Sequence, residues 1–416
     1  MSKIIGMKGK LLLVWKIPSF PVLFLCNFIF GLSTSFFAPF SSLFGIDEVG
    51  MSNIGFGIFM TIMALGGVVI STIIAKKSDS NISRKKILIY ASLMGMIGYC
   101  LFAYIRDYYL LAVIAFLLLG SAAATVPQLW AYAREALQNA NVPKEETPFI
   151  MNVFRMFFAL SWTVGPALAA WFVVIIGFKG LFLFVAAGYA IGLFVILFFL
   201  KDVPKAVYEN KQNRVGITEY VKKPHIFGNL AAALLLAAAT SIHTLNAPQF
   251  VTKVLGGTEF DVGLIFSVPP IFEVPMMIAV GALAIKLDNG LLIRIGFAIA
   301  LVYFSLFFFV TEPWQIYPLQ ILSAAQVSIT SGIAISYFQD FIPHAQGTAT
   351  TLYMNSTQIG NTVGFLLFGF LAEAMNYGNV IIIYILFAAV ALFCLMLFGK
   401  QKGERLEARE VREEKI

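Results

Sequence analysis

Residues 149–176 read FIMNVFRMFFALSWTVGPALAAWFVVII, and Arg155 is the only charged residue in that length. A helix of this length covers about 42 Å, more than the roughly 30 Å of a bilayer's hydrocarbon core. Inside lipid, every backbone N–H and C=O must find a partner within the protein, and an open chain achieves this only as a helix. The segment therefore reads as a membrane span, and the rest of the chain repeats its character. Of 416 residues, 59% are hydrophobic and 12% charged, against roughly 45–50% and about 25% in soluble domains. Working outward from 149–176, apolar runs predict spans near 18–44, 52–75, 87–105, 108–133, 149–176, 180–200, 226–252, 260–285, 291–311, 313–340, 346–375 and 378–398. The expected fold class is all-α integral membrane, with twelve transmembrane helices.

An even number of spans puts both termini on one side of the membrane, and Lys and Arg mark the cytoplasmic side. Of the 29 such residues, all but Arg106, Lys179, Lys253 and Arg155 fall in the tails, the central linker or the connections on the side of the termini. Both termini are expected in the cytoplasm, in a multi-pass cell-membrane protein. The first apolar run is longer than the h-region of a cleavable signal and is expected to stay in the chain. The net charge of +7 follows this topology and forms no continuous patch for nucleic acid. Cys26, Cys100 and Cys394 lie far apart within apolar runs and imply neither a disulfide framework nor a metal site.

The polar stretch 201–225 separates six spans from six, and the halves match. Ala38-Pro39 recurs as Ala247-Pro248, Asp79 as Asp288, and Thr163-Val164-Gly165 as Thr362-Val363-Gly364, while Ala131 to Glu135 resembles Ser336 to Asp340. The organisation expected is a six-helix bundle at 1–200, a cytoplasmic linker at 201–225, a second bundle at 226–398 and a tail at 399–416. Two parallel six-helix repeats are the architecture of major facilitator transporters, which alternate access around a site near mid-membrane.

Particular residues carry a resemblance to that family. The connector AKKSDSNISRKK places Asp79 before Arg84, Lys85 and Lys86, as in the facilitator motif between spans 2 and 3, with Ser83 where a turn glycine is usual. Trp162-Thr163-Val164-Gly165-Pro166-Ala167 resembles the Gly-Pro motif of facilitator antiporters, with Ala169-Ala170 in place of its following glycine pair. Taken with Ser42-Leu43-Phe44, Pro127-Gln128-Leu129, Ala133-Arg134-Glu135, Glu273-Val274-Pro275, Phe338-Gln339-Asp340 and Ala349-Thr350-Thr351-Leu352, these residues resemble the bacterial sugar efflux transporters. The resemblance implies export of sugars or sugar analogues coupled to proton entry, without a cofactor. A multidrug/proton antiporter is the alternative, favoured by the many Phe and Met residues and the Gly-Pro motif; uptake is a third reading.

Glu273 lies about twelve residues from either end of its span. An ionised carboxylate at such a depth costs about 2.5–3.5 kcal/mol even on insertion scales, so Glu273 is a candidate proton carrier, with a protonated structural Glu as the other reading. His243, also in a span, could titrate too; His225 and His344 lie in or near loops, and no metal constellation forms. Sugars need hydrogen-bonding groups beside an aromatic face. Asn27, Gln128, His243, Asn246, Gln249, Gln326, Asn355, Gln358 and Asn361 punctuate the spans, and the substrate site is expected mainly on Asn27, Trp162, His243, Asn246, Glu273 and Asn355. For each polar residue taken alone, a helix-to-helix hydrogen bond competes with this role.

Asp79, Arg84, Glu135, Arg155, Asp288 and Asp340 are candidate gating residues at the cytoplasmic ends. Arg84 pairs with Glu135 in this reading. Arg155 needs an anion, such as Glu135 or Asp340, or a mouth open to water. No Walker loop, HExxH or GxSxG appears, so an enzyme is disfavoured. The partners expected are a small molecule, protons and lipid, with the chain acting as a monomer.

Overall fold

A computed structural model describes residues 17, 19–80, 82–140, 142, 147–202, 220–342 and 345–399, with no side-chain description for some helical positions, among them 75–80. Every element in it is helical. In chain order they are α1 (Phe20–Phe37), α2 (Asn53–Ser80), α3 (Arg84–Tyr104), α4 (Tyr108–Asn139), α5 (Thr147–Phe199), α6 (Pro224–Lys253), α7 (Glu259–Lys286), α8 (Asn289–Phe308), α9 (Ile316–Phe341), α10 (Gln346–Ala374) and α11 (Tyr377–Phe398). Ten segments among the described residues are long and apolar enough to cross a membrane.

Departures from the expected spans have local causes. The run expected at 18–44 stays α-helical to Phe37, tightens into a 3₁₀ turn at Ala38–Phe40 and widens into a π segment at Leu43–Glu48. Pro39 supplies no N–H, so the regular ladder is interrupted there. The two spans expected at 149–176 and 180–200 meet within α5 at Gly177, whose φ of 66° breaks the helix; glycine adopts that conformation without a Cβ penalty. Helix α10 has the length of a span but is not among the ten apolar segments. Its first half, QGTATTLYMNSTQIGNT, is too polar.

The chain divides into two compact units. The first comprises Met1–Glu209 with Thr258–Pro270, the second Asn210–Gly257 with Ile271–Ile416. The first half of α7, up to Pro270, thus groups with the first unit. There Ser267 Oγ accepts the Ala167 N–H at 3.0 Å, beside Pro166, where a proline interrupts the α5 ladder. Within the first unit, α5 packs along α1 and α3. Its core is aromatic: Phe182 lies edge-on to Phe44 at 4.6 Å and to Phe102 at 5.7 Å.

In the second unit α6 is central, packed along α10 and α11. Its seam with α10 shows why small residues recur there. Ser356, Gly360 and Gly364 follow one another at helical i, i+4 spacing and meet the carbonyls of Leu230, Leu234 and Ala238. Ser356 Oγ donates to Leu230 O at 2.6 Å, and a Cβ on Gly360 or Gly364 would lie 2.3 Å from Leu234 O or 2.6 Å from Ala238 O. Such close approach of backbones is what small residues permit between membrane helices.

Candidate functional site

In the first unit, polar groups converge where α1, α4 and α5 meet. Asn27 is fully buried; its Nδ2 donates to Phe154 O at 2.6 Å, and its Oδ1 accepts from Trp130 Nε1 at 2.9 Å. A buried indole N–H needs such an acceptor. The Arg155 guanidinium stands 5.3 Å from the Trp130 ring centroid, and Phe158 meets the same ring edge-on at 5.8 Å. Arg155 is exposed. Among the described residues its partner is this aromatic face, a cation–π contact; Glu135 instead holds Arg84. Trp130 was not singled out from the sequence. The signal available was an indole within an apolar run, whose N–H has to be satisfied.

Five residues beyond Trp130 on α4, Glu135 forms an ion pair with Arg84 Nε at 2.8 Å, with side chains only 4% and 12% exposed. Arg84 Nη1 also donates to Gln128 Oε1 at 2.9 Å. The expected Arg84–Glu135 pair is therefore present, and Gln128 is its third member. In the second unit, the corresponding place holds a different bond: Asn289 Nδ2 donates to Asp340 Oδ2 at 2.8 Å. Asp288 caps α8 by accepting the Leu291 N–H at 3.2 Å, where a carboxylate also meets the positive end of the helix dipole. The Asp79 side chain and His344 lie outside the described residues.

Glu273, on α7 in the second unit, is partly exposed. Ser328 Oγ donates to its backbone carbonyl at 3.1 Å, which ties α9 to α7 without engaging the carboxylate. Among the described residues that carboxylate has no hydrogen bond or ion pair.

His243 and Asn246 lie deeper. His243 Nε2 is 3.0 Å from Tyr303 Oη, and the rings of Tyr303, Phe304, Phe307 and Tyr384 surround the imidazole at 4.8–5.3 Å. Asn246 is fully buried and donates to Tyr377 O at 2.9 Å. Both sit in the packing of α6 against α8 and α11. Trp162 is partly exposed, one turn before Pro166, and Asn355 is exposed on α10.

The six residues expected to hold substrate thus fall into two environments. Asn27, His243 and Asn246 are enclosed, with hydrogen bonds to neighbouring helices, while Trp162, Glu273 and Asn355 retain exposed surface. A cavity of about 280 Å³ also opens within the second unit between α6, α8, α9, α10 and α11, lined by Gln326, Thr330, Tyr353, Thr357 and Asn361 among others. None of the six expected residues lines it.

The model of a family described as Major Facilitator Superfamily matches residues 23–365. A relative named putative sugar efflux transporter, from Deinococcus radiodurans, is 29% identical over 367 residues, covering 88% of this chain and 93% of its own length. Sugar efflux transporter A of Escherichia coli is 28% identical over 369 residues, covering 89% and 93%. The crystal structure of the nucleoside transporter NupG matches with a TM-score of 0.70 at 16% identity, over 92% of this chain and 99% of that one.

Proposed function

The chain belongs to the Major Facilitator Superfamily, and on that premise we propose that it exports sugars or sugar analogues across the cell membrane in exchange for protons. It is an integral membrane transporter of that superfamily rather than an enzyme. The observation that carries the sugar reading is similarity to sugar efflux transporters across 88–89% of the chain. Under this reading the helices form twelve spans, with α5 counted as two at Gly177 and α10 included despite its polarity. Residues 1–200 and 226–398 act as matched six-helix bundles joined by a cytoplasmic linker, with both termini cytoplasmic and the monomer as the working form.

Each half-cycle exposes the site to one side of the membrane. Glu273 is the proton carrier: its carboxylate is unpaired and partly exposed, so it can gain a proton on one side and release it on the other. Trp162 and Asn355 offer an indole face and an amide to the substrate. Asn27, His243 and Asn246 act as positioning groups whose hydrogen bonds hold the helices that carry the contact residues. The Arg84–Glu135 pair and the Asn289–Asp340 bond close the cytoplasmic ends of the two bundles, Asp79 and Asp288 act as hinges of that gate, and Arg155 stands at the mouth of the first bundle.

Purified protein in liposomes with an imposed pH gradient tests this reading. Labelled lactose, a thiogalactoside and a cationic dye are offered in parallel. Sugar movement against its gradient, driven by opposing proton flow, is the expected result. Dye movement without sugar movement establishes the multidrug alternative, and sugar flux that ignores the pH gradient removes the exchange.

A further inference from the structure

The cavity inside the second unit has the chemistry of a binding site, and its lining explains how the sequence builds it. The Ser356–Gly360–Gly364 seam presses α10 onto α6. One position round the helix from that seam, Tyr353, Thr357 and Asn361 repeat at i, i+4 and i+8, so one ridge of α10 turns polar groups into the space. On α9, Gln326 and Thr330 share a face at the same spacing, with Gln326 Nε2 3.4 Å from Thr330 Oγ1.

These groups have hydrogen-bonding capacity left. Asn361 Oδ1 accepts from Ser241 Oγ at 3.0 Å. In this orientation of the amide, neither Nδ2 hydrogen has a protein partner among the described residues. Among the described residues, Gln326 has one long bond through Nε2 and no partner for its Oε1. Among the described residues, the Tyr353 hydroxyl has no hydrogen-bond partner, while its ring stacks on Phe338 at 4.9 Å and 29°. By contrast, Asn229 is fully engaged: its Nδ2 donates to His225 O and Phe398 O, and its Oδ1 accepts from Tyr337 Oη. Asn229 is therefore a wall of the cavity, and Asn361, Gln326 and Tyr353 are its unspent donors and acceptors.

Among the described residues, the lining contains no Asp, Glu, Lys, Arg or His. Amide and hydroxyl groups beside an aromatic ring suit a ligand with many hydroxyls and apolar C–H edges. A fixed charge would have nothing to neutralise it, and burying an unpaired charge is costly. A volume of about 280 Å³ leaves room for a sugar ring. The cavity runs from mid-helix, at Thr240, Gln326 and Asn361, toward Ile293, Phe338 and Leu395, near the helix ends expected to face the cytoplasm. An exporter loads its substrate from that side.

We infer that this cavity seats an uncharged sugar ring during loading, and that Gln326, Tyr353 and Asn361 select it. The inference rests on the sugar export reading and extends it to a place and a charge class. Its test uses the full chain with Cys100→Ser and Cys394→Ser, to remove the two native thiols that are not buried, and with Ser331→Cys on the exposed lip of the cavity. Maleimide labelling of that thiol is timed with glucose, lactose, glucosamine or glucuronate present, in the same vesicles that are assayed for transport. A neutral sugar that is transported slows labelling at least threefold, and the two charged sugars do not. Gln326→Leu and Asn361→Ala each raise the apparent KM by about threefold to tenfold, the loss of one or two neutral hydrogen bonds.

Transport of a neutral sugar without protection of the Ser331→Cys thiol overturns the cavity as the seat and leaves export standing. Equal protection by glucuronate or glucosamine overturns the selection for an uncharged ring. No movement of any neutral sugar removes the export reading, and the cavity's role falls with it. The labelling measurement stands even where Gln326→Leu or Asn361→Ala fails to fold.

Discussion

Replacing Gly360 by Ala tests the seam that holds α10 to α6. The new methyl would lie 2.3 Å from the Leu234 carbonyl oxygen and 2.9 Å from the Ala237 methyl. Carbon–oxygen contacts settle at about 3.3–3.6 Å, so the helices must part by about 1 Å or the backbone must distort. Three effects compete. Alanine favours helix over glycine by about 0.5–1 kcal/mol. Overpacking costs about 1–3 kcal/mol. Separating the seam also weakens the Ser356–Leu230 and Ser241–Asn361 hydrogen bonds, each contributing about 0.5–1.5 kcal/mol. The balance is a net loss of about 1–3 kcal/mol, or a fall in Tm of about 2–4 °C per kcal/mol for a unit of this size. Gly364→Ala, 2.6 Å from Ala238 O, behaves alike. Gly332→Ala is the control: the same substitution in α9 with nothing within 4 Å, expected to match or exceed the parent. Thermal unfolding in detergent, followed by fluorescence, reads all three. If Gly360→Ala and Gly332→Ala melt together, the close-packed seam is refuted.

Other perturbations test other parts of the structure. Glu135→Ala leaves the Arg84 charge buried without its carboxylate and is expected to destabilise by about 3–5 kcal/mol, whereas Glu135→Leu with Arg84→Met recovers much of that loss; chemical unfolding in detergent that ranks the two alike refutes a buried ion pair. Trp130→Phe removes the donor to Asn27 Oδ1 and is expected to cost about 1–3 kcal/mol for the stranded acceptor, while Arg155→Lys keeps that bond and lowers Tm less. Glu273→Gln is expected to fold normally and to retain sugar counterflow between equal pH values but to lose accumulation driven by a pH gradient; unchanged pH-driven transport would remove Glu273 as the proton carrier.

The membrane character of the chain and most of the helix positions were legible from the sequence, because lipid imposes a long apolar run on every helix that crosses it. Helix α10 was expected as a span from the apolar run at 346–375, yet its Thr, Asn and Gln residues dilute its hydropathy and it is not among the ten apolar segments. The Arg84–Glu135 pair was also legible, since charges flanking apolar runs have few partners to choose among. Partnering deeper in the helices was not. Asn27 and Asn355 look alike in the sequence, each an amide within a helical run, yet one is enclosed by Trp130 and Phe154 O and the other is exposed. Helical spacing gives the face on which a residue stands; which neighbour occupies that face is a matter of packing. Arg155 shows the same limit, because its need for a partner was readable while its placement over the Trp130 ring was not.

By itself, then, the sequence 149–176 and its relatives along the chain determined that the protein is built from apolar helices, since backbone hydrogen bonding in lipid allows no other open-chain solution. Tertiary structure decided which polar side chains remain available. Once α10 closes on α6 along its small residues, Ser356 is consumed at the seam, while Thr357 and Asn361, one position round the helix, face open space. A rotation of about 100° about the helix axis separates Ser356, spent on the Leu230 carbonyl, from Thr357 and Asn361, which line the cavity, and only the neighbouring helix determines which side is which.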